Sequence, residues 1–279
     1  MQFSDSFLPT ANSVGMSSMI TYFFLIFAAY AFLGNVIFAW LGKSGVAPEH
    51  RTSRHFTAII AAVAGISYML IAHFYHEMLR ELAHTNDPAK RDELLRTSYN
   101  AIGQLRYIDW AITTPLLLLK AVSMLKIQPS QEKRSIFWLL FADLFMVITG
   151  YIGEQQLTAD GHIMVGDKLI WGAISTVGYI IVPFILWNLW KRYKDTVQPE
   201  ERTAYKWLAL STVTTWGIYP LGYILTTIDG FNLNYIHISF SIFDVINKVG
   251  AGAVVYLAAK KILEKRVAED ATMNTHIVD

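Results

Sequence analysis

The sequence predicts an all-α protein, a seven-transmembrane helix bundle. Three observations carry that prediction. Only 16% of the 279 residues are charged and 53% are hydrophobic, whereas an ordinary soluble domain carries about 25% charged residues. Seven stretches are each long and apolar enough to cross a hydrocarbon core about 30 Å thick, which takes about 20 residues of helix. Turn-forming pairs separate them, as in Asp87-Pro88, Gln128-Pro129, Asp160-Gly161 and Gln198-Pro199. The 23 basic and 22 acidic residues nearly balance, which excludes a polybasic nucleic-acid binder and an acidic disordered chain. Cysteine is absent, so disulfide scaffolds, thiolate metal sites and cysteine nucleophiles are excluded as well, and no metal site is expected.

In chain order the spans are 19–41, 55–80, 98–125, 134–153, 164–190, 204–228 and 234–262. They form one membrane domain over 1–279, with short tails at about 1–18 and 263–279. The first span is too long and too late for a cleaved leader, and no small-residue cleavage site follows it. The connections after spans one, three and five and the tail after span seven hold 15 of the 23 Lys and Arg residues. The amino-terminal tail and the other connections hold five. The positive-inside rule therefore puts the N-terminus outside and the C-terminus in the cytoplasm of a cell-membrane protein.

Ionisable side chains inside a span cost several kcal/mol unless paired or hydrated, so each is a functional suspect. Asp109, Lys120, Asp143, Asp244 and Lys248 lie deep, with Arg106 one turn from Asp109. Glu77, Arg80 and Lys260, near span ends, read as snorkelling groups. Asp143 has a structural reading, an acid satisfied within the bundle, beside a place in a pocket. Asp244 and Lys248 are spaced i, i+4 on the seventh span and share one face. A lysine there is suited to forming an imine with an aldehyde, and the resulting cation needs counter-charges, which Asp244 and Asp109 supply. On the third span Arg106, Asp109, Thr113 and Lys120 fall on one stripe. Asp109 and Lys120 stand roughly 16 Å apart along the helix, a spacing of protonatable groups that suits a proton path.

These residues resemble the microbial rhodopsins from the first span to the seventh. Arg106-Tyr107-x-Asp109-Trp110-x-x-Thr113-Thr114-Pro115-Leu116-Leu117 is similar to the family's third-helix motif. Trp216-x-x-Tyr219-Pro220 resembles its sixth-helix motif, and Asp244-x-x-x-Lys248 its retinal-attachment motif. Gly150-Tyr-Ile-Gly-Glu154 and Asn247 look closer to proteorhodopsins than to haloarchaeal pumps. The resemblance implies all-trans-retinal on Lys248 as a protonated Schiff base, with Asp109 and Asp244 as counter-ions. It places Trp110 and Trp216 on either side of the polyene, and Tyr219, Pro220 and Tyr223 along it. Met146, Gly150, Ser175, Thr176 and Tyr179 would surround the ring end. Thr114, Asp143 and Asn247 would complete the wall. Leu117 stands where proteorhodopsins exchange Leu for Gln, and Leu there implies green absorption.

Three positions depart from the common family pattern. Lys120 occupies the cytoplasmic donor position, with two readings, a proton donor or a snorkelling side chain. On the second span, aligning Gly65-Ile-Ser-Tyr-Met-Leu70 with proteorhodopsins puts Leu70 where they have a histidine; His73 reads as surface-facing. Gly172 also has two readings: xanthorhodopsin-like members open a window there for a carotenoid antenna, and any bundle uses such a glycine for close packing.

The resemblance thus implies a light-driven outward proton pump with Asp109 as acceptor, Thr113 fixing its geometry, Arg106 gating the outer side and Lys120 as candidate donor. Its partners would be the lipid bilayer and protons, with a homo-oligomer expected and no nucleic acid. No nucleotide loop, zinc motif or nucleophile–base motif marks an enzyme. The rival reading is a photosensory rhodopsin with a slow photocycle and little or no ion transport, its carboxy-terminal tail docking a transducer.

Overall fold

The computed structural model describes residues 7–128 and 130–275. Pro129 and the outer ends of the two expected tails, 1–6 and 276–279, lie outside the described residues. After a single helical turn at Ala11–Val14, five continuous helices follow: α1 (Met16–Leu41), α2 (Arg51–His84), α3 (Pro88–Ser123), α4 (Lys133–Glu154) and α5 (Val165–Tyr193). Helix α6 is built from Pro199–Val213 and Ile218–Leu225, joined by a 3-10 turn at Thr215–Gly217. Helix α7 runs Leu233–Val245, passes through a π-helical turn at Ile246–Gly250, and continues as Ala251–Thr275. Residues 263–275, expected as a tail, therefore extend the last helix.

Local chemistry sets the helix starts. Asp87 caps α3, its carboxylate accepting from Ala89 N at 2.9 Å, with Pro88 at the first helical position, where a missing N–H costs nothing. Glu201 accepts from Gln198 N at 2.9 Å, closing a capping box at the start of α6. Asn232 caps α7 through Asn234 N. The turn between α6 and α7 uses Gly230 at φ 74°, a conformation that costs glycine little.

Successive helices pack side by side and α7 returns against α1, which closes the bundle. Large apolar side chains point outward all along it, among them Phe23, Phe27 and Leu33 on α1, Ile66 and Leu70 on α2, Phe137 and Ile148 on α4, and Ile180 and Phe184 on α5. Such a surface would aggregate in water and is matched to lipid. Five helical stretches among the described residues meet the length and apolarity of a span by composition alone. Helix α3 falls short because Arg106, Asp109 and Lys120 interrupt its apolar part. Helix α6 falls short because its two pieces have 15 and 8 residues.

Three buried clusters fill the interior, and two of them bracket the site. One, with Leu117, Leu186, Tyr205, Trp216 and Val255, fills the half toward the end of α7. The other, around Tyr99, Trp110, Ile236 and Phe240, lies toward the end where α1 begins. Between them α3, α6 and α7 carry the ionisable side chains.

Candidate functional site

Lys248 sits inside the π-helical turn of α7, 2% exposed. Its Nζ pairs with Oδ2 of Asp109 on α3 and lies 3.7 Å from Oδ2 of Asp244. Asp244 is the best-connected acid of the site. It accepts from Tyr68 OH at 2.8 Å and Tyr219 OH at 2.6 Å, and Arg106 Nη1 stands 3.7 Å away. Arg106 donates to Tyr68 OH at 2.8 Å and lies over its ring. Asn247 donates to Tyr219 OH at 3.2 Å and accepts from Thr215. Two carboxylates thus face two cations, all 3% exposed or less. A buried charge is tolerable when paired and hydrogen-bonded in this way.

A cavity opens on this cluster, with about 1070 Å³ of space between its lining atoms, part of it continuous with the outside. Of the residues expected around a chromophore, Trp110, Thr114, Leu117, Met146, Gly150, Gly172, Ser175, Thr176, Tyr179, Trp216, Tyr219, Pro220, Tyr223 and Asn247 form its wall, together with Lys248 and Asp244. The donor set fits retinal: one buried amine for its aldehyde carbon, two acids for a cation there, and an aromatic slot for an apolar polyene. Oδ1 of Asp109 has no hydrogen-bond partner among the described residues, so the cluster keeps acceptor capacity beside the amine.

Several expectations change in detail. Asp143 lies behind the wall, accepting from Thr114 Oγ1 at 2.9 Å, and is fully buried. Thr113 donates to the backbone carbonyl of Asp109 at 2.9 Å, not to its carboxylate, because a helical threonine reaches the carbonyl one turn back. Lys120 is 0% exposed and its Nζ has no partner among the described residues, so it does not snorkel. Leu70 is 51% exposed on the outer face of α2 and cannot face Asp109; His73 is exposed too, as expected. The open side of Gly172 is taken by Tyr223: a Cβ there would stand 2.7 Å from Tyr223 Cε1.

Sequence reasoning passed over Tyr68, which holds both Asp244 and Arg106. The signal was present. Ala61, Ala64, Tyr68, Ile71 and Tyr75 recur every three or four residues on α2 and are all buried, and the two tyrosines are the hydrogen-bonding members of that face. The Glu154–Lys168 pair was also missed; it is buried at 3.0 Å against the cavity wall, and Tyr223 OH donates to Lys168 O at 2.6 Å. Far from the site, where α7 ends, ligand atoms of Glu49, His50 and Glu201 lie within 4.8 Å of one another. Lys126 and Arg266 already pair with those two acids.

The geometry has close counterparts. Residues 18–262 match the family model of the bacteriorhodopsin-like proteins. The chain is 26% identical to the bacteriorhodopsin-II-like protein of Haloquadratum walsbyi, across 83% of this chain and 87% of that one. It is 24% identical to the green-light absorbing proteorhodopsin of Gamma-proteobacterium EBAC31A08, across 86% and 85%. In fold it is similar to the Exiguobacterium sibiricum rhodopsin (TM-score 0.69, 23% identity, 88% of this chain and 97% of that one). It is likewise similar to xanthorhodopsin, described as a light-driven ion pump with dual chromophore (TM-score 0.73, 21% identity, 90% and 96%). On the match over most of its length, this multi-pass membrane chain belongs to the family of bacteriorhodopsin-like proteins.

Proposed function

We propose that this protein is a light-driven outward proton pump, with Lys248 carrying retinal and Asp109 accepting the transported proton. One observation carries the reading: Asp109 is a buried carboxylate paired to the Lys248 amine, with its second oxygen unpartnered. Retinal supplies, when bound, the light absorption and the change of shape that drive the cycle. Asp109 is placed to take a proton from the Lys248 nitrogen, because acceptor and donor are already within hydrogen-bond reach. Asp244, held by Tyr68, Tyr219 and Arg106, is the second counter-charge of the site. Arg106 stands on the exit side of the cluster, where its cation separates Asp109 from the end at which α1 begins. By charge placement that end faces outward.

Lys120 lies on the opposite side, buried and unpartnered. It is placed to hand a proton back toward Lys248 once water reaches it, and to be recharged from the cytoplasm. Trp110 and Trp216 confine the polyene, and the apolar wall excludes water that would short-circuit the two sides. This reading needs neither enzymatic chemistry nor a carotenoid. The decisive experiment records pH outside illuminated cells or vesicles containing the protein in unbuffered medium. Acidification that a protonophore abolishes is expected. An absence of any pH change, with a spectral state lasting seconds, would favour a sensory role instead.

A further inference from the structure

The cavity does not end at Lys248. It continues between α3 and α7 toward the end where α1 begins, and there Arg106, Tyr99 and His237 form its wall. His237 is 3% exposed, and its Nδ1 is buried without a hydrogen-bond partner among the described residues. The same holds for Nε and Nη2 of Arg106. The rings of Tyr99 and Tyr75 flank the imidazole, their centroids 5.1 Å and 5.9 Å from its own. Unpartnered buried polar atoms gathered on one stretch of a cavity wall are where ordered water is held.

His237 also stands in a line. Asp244, Ser241, His237 and Asn234 fall at i, i−3, i−7 and i−10 on one face of α7, all buried, and cover about 15 Å of helix. Inward of His237, Tyr68 OH joins Arg106 to Asp244. Outward of it, Asn234 accepts from Tyr75 OH at 2.5 Å and from Thr21 Oγ1 at 3.2 Å, and donates to Ser18 Oγ at 3.3 Å. An imidazole separates two hydrogen-bonded clusters. The ionisable groups around it are Arg106 and Tyr99 on α3, Tyr75 on α2, Asp244 on its own helix and Glu154 across the cavity.

We propose that His237 is the exit relay for the proton, an assignment that rests on the pumping reading and extends it to the outer half of the path. A proton leaving the Asp109–Arg106 region through water adds to the lone pair of Nδ1, giving the imidazolium. The ring then releases the proton on its other nitrogen, Nε2, toward the Tyr75–Asn234 cluster, and exchange of tautomers restores the start. No electrons move, and one proton enters for each that leaves. The imidazole lines the cavity while its Nδ1 has no hydrogen-bond partner among the described residues.

The test uses the retinal-loaded protein in vesicles after a flash. Infrared absorption of the Asp109 carboxyl reports arrival of the proton there, and a pH-indicating dye reports its appearance outside. His237→Gln and His237→Phe should leave the Asp109 signal at its normal rate and slow the dye signal on the order of a hundredfold. Normal dye kinetics in either coloured variant would overturn the relay alone. Absence of any dye signal in the unaltered protein would overturn pumping, and the relay with it. Should both variants fail to form pigment, the unaltered protein with ring-labelled histidine decides: light-induced imidazolium bands support the relay, and their absence rejects it.

Discussion

Lys248 reaches across from α7 to the carboxylate of Asp109 on α3, although Asp244 stands one turn away on its own helix, 3.7 Å from the amine. The π-helical turn at Ile246–Gly250 changes the direction in which Lys248 leaves the helix. Asp244 is meanwhile occupied by two tyrosine hydroxyls. Asp109 has fewer partners, so it takes the amine.

Removing either member of that pair should have distinct consequences. Lys248→Ala supplied with all-trans-retinal should show no visible band. It should also lose about 3–5 kcal/mol of stability, because two acids then face one cation. Asp109→Asn should keep its colour, shifted to longer wavelength as the negative charge beside the amine disappears, while light-driven acidification falls by about a hundredfold or more. Absorption spectra and vesicle pH recordings check both.

Tyr68→Phe removes the hydroxyl that serves Asp244 and Arg106 together. A buried acceptor left short of a donor costs about 1–3 kcal/mol. Thermal unfolding of the pigment in detergent should show that loss, with the visible band retained because Lys248 and Asp109 are untouched.

Lys120→Met separates stability from function. An unpartnered buried amine is a cost that methionine, of similar shape, does not carry. The variant should unfold at a higher temperature than the unaltered protein, yet recover its dark absorption after a flash at least about tenfold more slowly. An unchanged recovery rate would remove Lys120 from the proton path.

Gly172→Ala tests the close packing of α5 on α6. The new Cβ would stand 2.7 Å from Tyr223 Cε1, so the ring must shift and strain its bond to Lys168 O. Overpacking of this kind costs about 1–3 kcal/mol, and the visible band should move because Tyr223 lines the cavity.

The polar cluster beyond the membrane should respond to acid. Its hydrogen bond with Arg266 holds the Glu49 carboxyl down at about 2, well below the usual carboxylate range. A depressed acid stabilises the fold above its unfolded value, near 4.3. That stability is lost as pH falls toward 2. The difference in unfolding temperature between the unaltered protein and Arg266→Ala should therefore be constant above about pH 5 and vanish in strong acid.

Apolar runs and their punctuation were enough to read seven helices and the membrane setting, and charges inside the spans marked Lys248, Asp109, Asp244 and Lys120 as candidates. Each of these depends on composition and spacing along one helix, which a linear chain displays directly. Tyr68 and His237 were not read, because their importance comes from partners on other helices: Asp244 is 176 residues from Tyr68. The same holds for Leu70, aligned with the proteorhodopsin histidine yet 51% exposed on the outer face of α2. Which acid Lys248 pairs with, where Thr113 sends its hydroxyl, and what stands beside Gly172 were decided only by the closed bundle. Helical periodicity states which residues share a face, and it does not state what stands opposite that face at ångström range.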